Sequence, residues 1–293
     1  MFKGAITALV TPFLNNHNVD EDRYGDLVDW QIEQGIHGLV TCGTTGESPT
    51  LDHDTHNRVV ALCVEAAGGR VPIMAGAGSN CTEESITLAK HAKMVGADAL
   101  LVATPYYNKP NQEGIYQHFK AIHDAVDLPL FVYNIPGRSV VDITDETIAR
   151  IAKLEHVVGI KDATGNLARV STLRMHVDSS FIQLSGEDAT ALAFNAQGGV
   201  GVISVTSNVA PKLVAQVQNL WEQGKYQDAL AVHDRLMPLH GAMFCDSSPG
   251  PVKYALSLLD ACLPTVRLPL VMPAADKQLL VKKAMEAAGI RHG

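Results

Sequence analysis

Paired cysteines, long apolar runs and an excess of basic charge are all missing from this 293-residue chain. The five cysteines (Cys42, Cys63, Cys81, Cys245 and Cys262) are odd in number and widely spaced, with no Cys-x-x-Cys pair. Free thiols in a reducing compartment are the simplest reading, so a cytoplasmic protein is expected. No stretch approaches the roughly 18 apolar residues of a membrane span, and no membrane partner is expected. The opening MFKGAITALVTPF is apolar only briefly, and Pro12 follows with no small-residue cleavage site; it reads as a first strand. A net charge of −8 argues against a nucleic-acid surface or an anionic membrane. It leaves room for a small anionic substrate, because a cleft can be locally positive on an acidic protein. There is no P-loop, and the GAG at 76–78 lacks the third glycine of a dinucleotide fingerprint, so no nucleotide cofactor is indicated. His53 and His56 stand three apart at a helix start, but no HExxH follows, and a polar helix face fits them better than a metal site.

What is present is repetition. Eight short apolar or β-branched runs occur at 5–10, 37–42, 71–76, 98–104, 129–134, 157–161, 181–185 and 199–205. Most are almost continuously apolar, the pattern of parallel strands covered on both faces. Helical periodicity separates them: Val59, Leu62, Cys63 and Ala66 recur at i, i+3, i+4, i+7, as do Ala210, Leu213, Val214 and Val217. Thr82, followed by Glu83 and Glu84, reads as an N-cap with acidic residues in the first turn. Eight strand–helix units predict an α/β fold, a (β/α)8 TIM barrel over residues 1–223. An open doubly wound sheet is the runner-up, disfavoured by the absent fingerprint. Residues 224–293 show helical patterns at 226–240, 251–262 and 274–288, which predict a small helical appendage packed on the barrel without a flexible linker.

A TIM barrel gathers its chemistry at the C-terminal ends of its strands. Those ends carry CGTTGES (42–48), TPYYN (104–108), VYNIPGR (132–138), IKDATG (160–165), SGED (185–188) and ISVTSN (203–208). Lys161 and Tyr133 end consecutive strands, about 5 Å apart in a parallel sheet. Burial disfavours an ammonium and leaves more free amine, which attacks ketones to give an imine. The protonated imine is an electron sink, and a neighbouring tyrosine with a hydroxyl partner can shuttle its protons. Alone, a strand-end lysine more often snorkels to solvent; Tyr133 and the threonine pair favour the chemical reading. Thr44 and Thr45 lie in a Gly-Thr-Thr-Gly turn, where Gly43 and Gly46 let the backbone curl so that N–H groups and hydroxyls converge on a carboxylate. Arg138, in a turn above the mouth, can hold a second carboxylate bidentately. Tyr106 and Tyr107 suit core, rim or interface.

Taken together, GTTGES (43–48), TPYYNKP (104–110), YNIPGR (133–138), GIKDATGN (159–166) and SGED (185–188) make the chain resemble the 4-hydroxy-tetrahydrodipicolinate synthases, also called dihydrodipicolinate synthases. They are pyruvate-dependent lyases of lysine and diaminopimelate synthesis, and the likeness runs from Phe2 to the C-terminal helices. It implies that pyruvate condenses with L-aspartate-β-semialdehyde, that Lys161 forms the imine, and that Tyr133, Thr44 and Tyr107 form a proton relay. Tyr107 would come from the neighbouring subunit of a tight dimer. Thr45 would bind the pyruvate carboxylate and Arg138 that of the semialdehyde, with backbone contacts from Gly186 and Ile203. The resemblance further implies a homotetramer built as a dimer of dimers, no metal or organic cofactor, and feedback inhibition by L-lysine. Ser48, His53, His56, Asn80, Glu84 and Tyr106 occupy the positions of that effector site.

Two positions and one segment depart from the family pattern. Ser139 stands where threonine is more usual and keeps the hydroxyl. Pro49 replaces a small residue and stiffens the loop beside the effector positions. The segment 246–253, with Gly250 in a proline-rich turn, differs from the usual family sequence, and no catalytic meaning attaches to it. The nearest rival is an N-acetylneuraminate lyase or another keto-acid aldolase; Arg138 suits a short amino-acid carboxylate and weighs against a polyhydroxylated substrate. A barrel repurposed for binding is disfavoured by the complete set Lys161, Tyr133, Thr44 and Tyr107.

Overall fold

A computed structural model describes residues 2–291. Eight strands close into one parallel barrel in sequence order, with β8 pairing back onto β1. They are β1 Gly4–Ala8, β2 Gly38–Thr41, β3 Ile73–Gly76, β4 Ala99–Ala103, β5 Leu130–Asn134, β6 Val157–Asp162, β7 Ile182–Ser185 and β8 Gly201–Ser204. Each of the eight apolar runs coincides with one strand to within a few residues. The crossovers are α1 Glu21–Glu33, α2 His53–Ala67, α3 Thr82–Met94, α4 Gln112–Ala125, α5 Pro136–Ser139 with α6 Asp145–Ile151, α7 Ala168–Arg174 and α8 Ala191–Ala196. After β8 come α9 Pro211–Glu222 and a C-terminal helical part, α10 Tyr226–Ala242, α11 Gly250–Ser257 and α12 Ala275–Ala287. Helix α10 packs on α9 and α12. No helix among the described residues is long and apolar enough to cross a membrane.

Two apolar layers explain why the strand runs are continuous. Alternate residues enter different clusters: on β5, Leu130 and Val132 face the helices, whereas Phe131 and Tyr133 face the barrel interior with Ile6, Val40, Met74, Leu101, Leu184 and Ile203. Both faces are therefore dry, and no polar alternation survives in the sequence. Burying a side chain such as Phe131 or Leu101 contributes about 1.5–3 kcal/mol. The same alternation decides the site. On β6, Ile160 belongs to the outer cluster, and Lys161 is paired in register with inward-facing Tyr133. The lysine is thus directed into the interior.

Two local expectations shift. Cys81, not Thr82, holds the N-cap of α3, and it makes no side-chain cap bond. The Thr82 hydroxyl is instead engaged by His118 Nδ1 at 3.0 Å. The helical pattern at 251–262 ends at Ser257, because the chain turns back through Asp260 in the left-handed region (φ 55°) and Ala261 donates to Leu256 at 3.0 Å. At α2 the cap is ordinary: Asp52 accepts from Thr55 N–H at 2.7 Å and starts the helix beside the mouth.

Candidate active site

Lys161 and Tyr133 are both buried, 6% and 5% exposed. The lysine Nζ lies 4.2 Å from the centre of the tyrosine ring, within cation–π range and close enough for the phenol to serve a group bound at the nitrogen. Among the described residues no carboxylate lies within 4.0 Å of Lys161 Nζ. A cavity of about 290 Å³ opens at the C-terminal ends of β2 to β5; Thr44, Ser48, Tyr106, Tyr133, Arg138 and Ser139 are on its wall, whereas Lys161 lies behind Tyr133 and is not. A larger hollow of about 600 Å³ lies at the opposite end of the barrel, lined by Phe2, Pro72, Pro129 and Phe181 among others. It contains none of the residues singled out by the sequence.

Each wall segment has a local reason for its place. Residues 43–48 fold into consecutive tight turns: Gly46 N–H donates to Gly43 at 3.1 Å, and Glu47 N–H to Thr44 at 3.1 Å. The glycines act differently from expectation. The left-handed residues are Cys42 (φ 50°) and Glu47 (φ 59°), which flank the turn, while Gly46 supplies close approach, since a Cβ there would sit 3.1 Å from the Leu9 carbonyl. Thr11 Oγ1 also donates to the Gly46 carbonyl at 2.8 Å. Arg138 is exposed on the short helix α5, begun by Pro136. Ser139 is buried beneath it, with its hydroxyl against the Ile135 and Val141 carbonyls at 2.9 Å each. The Ser139 hydroxyl thus ties α5 to the residues on either side of it.

The remaining selected residues divide. Thr45 is buried, and Ile203 belongs to the same interior cluster as Tyr133. Gly186 N–H donates to the Asp162 carbonyl at 2.6 Å; a Cβ at Gly186 would meet that of Ala163 at 2.7 Å, so only glycine lets the two strand ends approach. Tyr107 does not join the cavity: it is 87% exposed and has φ 72°. Ser48 and Tyr106 reach the cavity wall from the effector set. His53 Nε2 stands 3.8 Å from Glu84, which accepts from Ser79 Oγ at 2.6 Å, and the Asn80 carbonyl accepts from Asn108 at 2.8 Å. His56 is buried, and desolvation pulls its pKa down to about 4, so it is a neutral imidazole. Among the described residues, no group of three or more His, Cys, Asp or Glu is disposed to hold a metal.

Sequence reasoning missed what lies behind the 43–48 turn. Glu47 and Lys253 form an ion pair at 2.6 Å with both side chains fully buried. Lys253 closes the 246–253 segment, to which the sequence attached no meaning. Its signal was a lysine inside the apolar helix sequence GPVKYALS, which reads as a surface position unless a distant acid is known to face it.

Comparison with known proteins identifies the family and agrees with the fold. The Dihydrodipicolinate synthetase family model matches residues 1–288. The chain belongs to that family. It is 61% identical over 290 residues to the 4-hydroxy-tetrahydrodipicolinate synthase of Parvibaculum lavamentivorans, with 99% of each chain covered. Among solved structures it is similar to the chloride-inhibited dihydrodipicolinate synthase from Acinetobacter baumannii complexed with pyruvate (43% identity, TM-score 0.97, 99% of this chain and 100% of that one). It is also similar to the enzyme from Cyanidioschyzon merolae with lysine bound (38% identity, TM-score 0.96, 99% of each chain). The barrel is therefore that of a family lyase.

Proposed function

We propose that the protein condenses pyruvate with L-aspartate-β-semialdehyde through an imine on Lys161, giving 4-hydroxy-tetrahydrodipicolinate. The observation that carries this is the buried Lys161 Nζ, 4.2 Å from the ring centre of Tyr133, which lines the cavity at the strand ends. It is joined by relatives that bear the synthase name and by a structural neighbour that holds pyruvate. The Lys161 amine attacks the pyruvate C2, and loss of one water gives the protonated imine. A proton leaves C3, the resulting enamine attacks the aldehyde carbon, and the semialdehyde amine then displaces Lys161 at C2 to close the ring. The imine nitrogen is itself the electron sink, so this sequence calls for no metal or organic cofactor.

Tyr133 and Thr44 carry protons between the substrate and solvent. Tyr107, exposed in the single chain, completes the relay from a neighbouring subunit in a dimer of dimers. Thr45 and its turn hold the pyruvate carboxylate, and Arg138 holds that of the semialdehyde. Gly186 and Ile203 contribute backbone near the imine. L-Lysine binds among Ser48, His53, His56, Asn80, Glu84 and Tyr106 and inhibits, acting on a cytoplasmic enzyme. Of these, Ser48 and Tyr106 border the catalytic cavity, which supports a short path between the two sites. A coupled assay tests the reading: turnover should require both pyruvate and aspartate semialdehyde and decline with added L-lysine. Cleavage of a sialic acid with no semialdehyde-dependent turnover would contradict the substrate assignment.

A further inference from the structure

The buried Glu47–Lys253 pair sits where a merely structural ion pair would be hard to justify. Taking two charges fully out of water is costly, and an apolar pair of similar volume often serves stability as well or better. Here the pair is tied to the end of the 43–48 turn through Glu47, whose Oε1 meets Lys253 as a charge contact without a hydrogen bond. Glu47 ends that turn with φ 59°, and its N–H is bonded to the Thr44 carbonyl. Its Oε1 faces Lys253 Nζ at 2.6 Å, and its Oε2 accepts the Arg267 backbone N–H at 2.9 Å. Lys253 Nζ also donates to the Thr265 carbonyl at 2.8 Å and lies 3.9 Å over the Phe13 ring. The Arg267 guanidinium covers the same ring at 4.6 Å and donates to the Thr50 carbonyl at 3.1 Å. Thr50 in turn bonds the Glu47 carbonyl through its N–H at 2.8 Å and its hydroxyl at 3.0 Å.

We infer that Glu47 and Lys253 are positioning residues for the α-keto acid: the C-terminal helical part, through this pair, fixes the turn whose Thr44 and Thr45 receive the substrate carboxylate. The inference rests on the imine reading proposed above and adds to it a reason for the C-terminal segment. A left-handed, non-glycine residue is held in place only when its surroundings over-determine it, and both Glu47 oxygens are anchored on 253–267. Releasing the carboxylate lets the turn relax, and displacements of about 1 Å are enough to spoil recognition by converging donors.

The test separates positioning from stability. Wild type, Glu47→Gln and the double variant Glu47→Gln/Lys253→Met are titrated with pyruvate, reduced with borohydride, and scored by mass spectrometry for the fraction of Lys161 carrying the adduct. The double variant leaves no unpaired buried charge, so its melting temperature is expected to return towards the wild-type value. Its half-saturating pyruvate is expected to stay raised about tenfold, as in Glu47→Gln. A double variant that melts and saturates like wild type would overturn the inference while leaving the imine intact. A wild type that gains no adduct at all would instead remove the imine reading on which the inference rests.

Discussion

Two lysines of this chain are buried over aromatic rings, in opposite surroundings. Lys253 has a carboxylate, a carbonyl and the Phe13 ring around it, and is fully buried. Burial pulls its ammonium down from the ordinary lysine range while Glu47 pulls it back up. It is an ion held by its counter-ion. Lys161 has the Tyr133 ring beside it, no carboxylate within 4.0 Å among the described residues, and a cavity lined by that tyrosine. Burial of a lysine is therefore uninformative until its partners are counted: a paired one is architecture, and one without a counter-ion beside a cavity-lining tyrosine is the candidate for the proposed covalent step.

The comparison is broken most severely at the two lysines themselves. Lys161→Ala should lower turnover by about 10⁴-fold or more, since no second amine takes over the covalent step. Its folding stability should be unchanged or improved, because a buried amine without a counter-ion is lost. Lys253→Met should behave the other way, destabilising the fold by about 3–5 kcal/mol in urea unfolding because Glu47 is left buried and unpaired. A Lys253→Met protein as stable as wild type would erase the distinction. Tyr133→Phe keeps the ring that Lys161 packs on and removes only the hydroxyl. Pyruvate trapping should persist while turnover falls about 10²–10⁴-fold, and steady-state rates with full activity would remove Tyr133 from the relay.

A milder contrast comes from the buried histidines of α2 and α4. Burial pulls His56 and His118 each down to about 4, below the ordinary 6.5. Both are neutral when folded and take up a proton more readily when unfolded. Their neutral forms stabilise the fold fully above about pH 6.5, and that stability is lost as the pH falls towards 4. The loss approaches about 3 kcal/mol for each histidine. Urea midpoints at about pH 7.5, above that window, and about pH 4.5, near its lower end, should differ accordingly. His56→Asn or His118→Asn should flatten the dependence. Equal slopes in wild type and variants would exclude these histidines as its source.

Much of this was legible without coordinates, for a physical reason. Strands dry on both faces write themselves as unbroken apolar runs, so all eight could be counted. Polar residues closing such runs, Lys161 and Tyr133 above all, stand out because little else in those runs is polar. The turn chemistry was read less well: Gly43 and Gly46 drew attention, yet the left-handed positions are Cys42 and Glu47. Local sequence does not announce a strained residue when a distant part of the chain holds it there. Lys253 and Arg267 were invisible for the same reason, as partners far along the chain whose meaning depends on what they face. Thr82 shows a smaller version, its capping hydroxyl diverted to His118 on a neighbouring helix.

The most direct test of the covalent claim is peptide mapping after the protein is mixed with pyruvate and quenched with borohydride. One reduced three-carbon adduct is predicted, on the peptide bearing Lys161, absent from Lys161→Ala and never on Lys253. A labelled Lys253, or an unmodified Lys161 in protein that turns over, would contradict it.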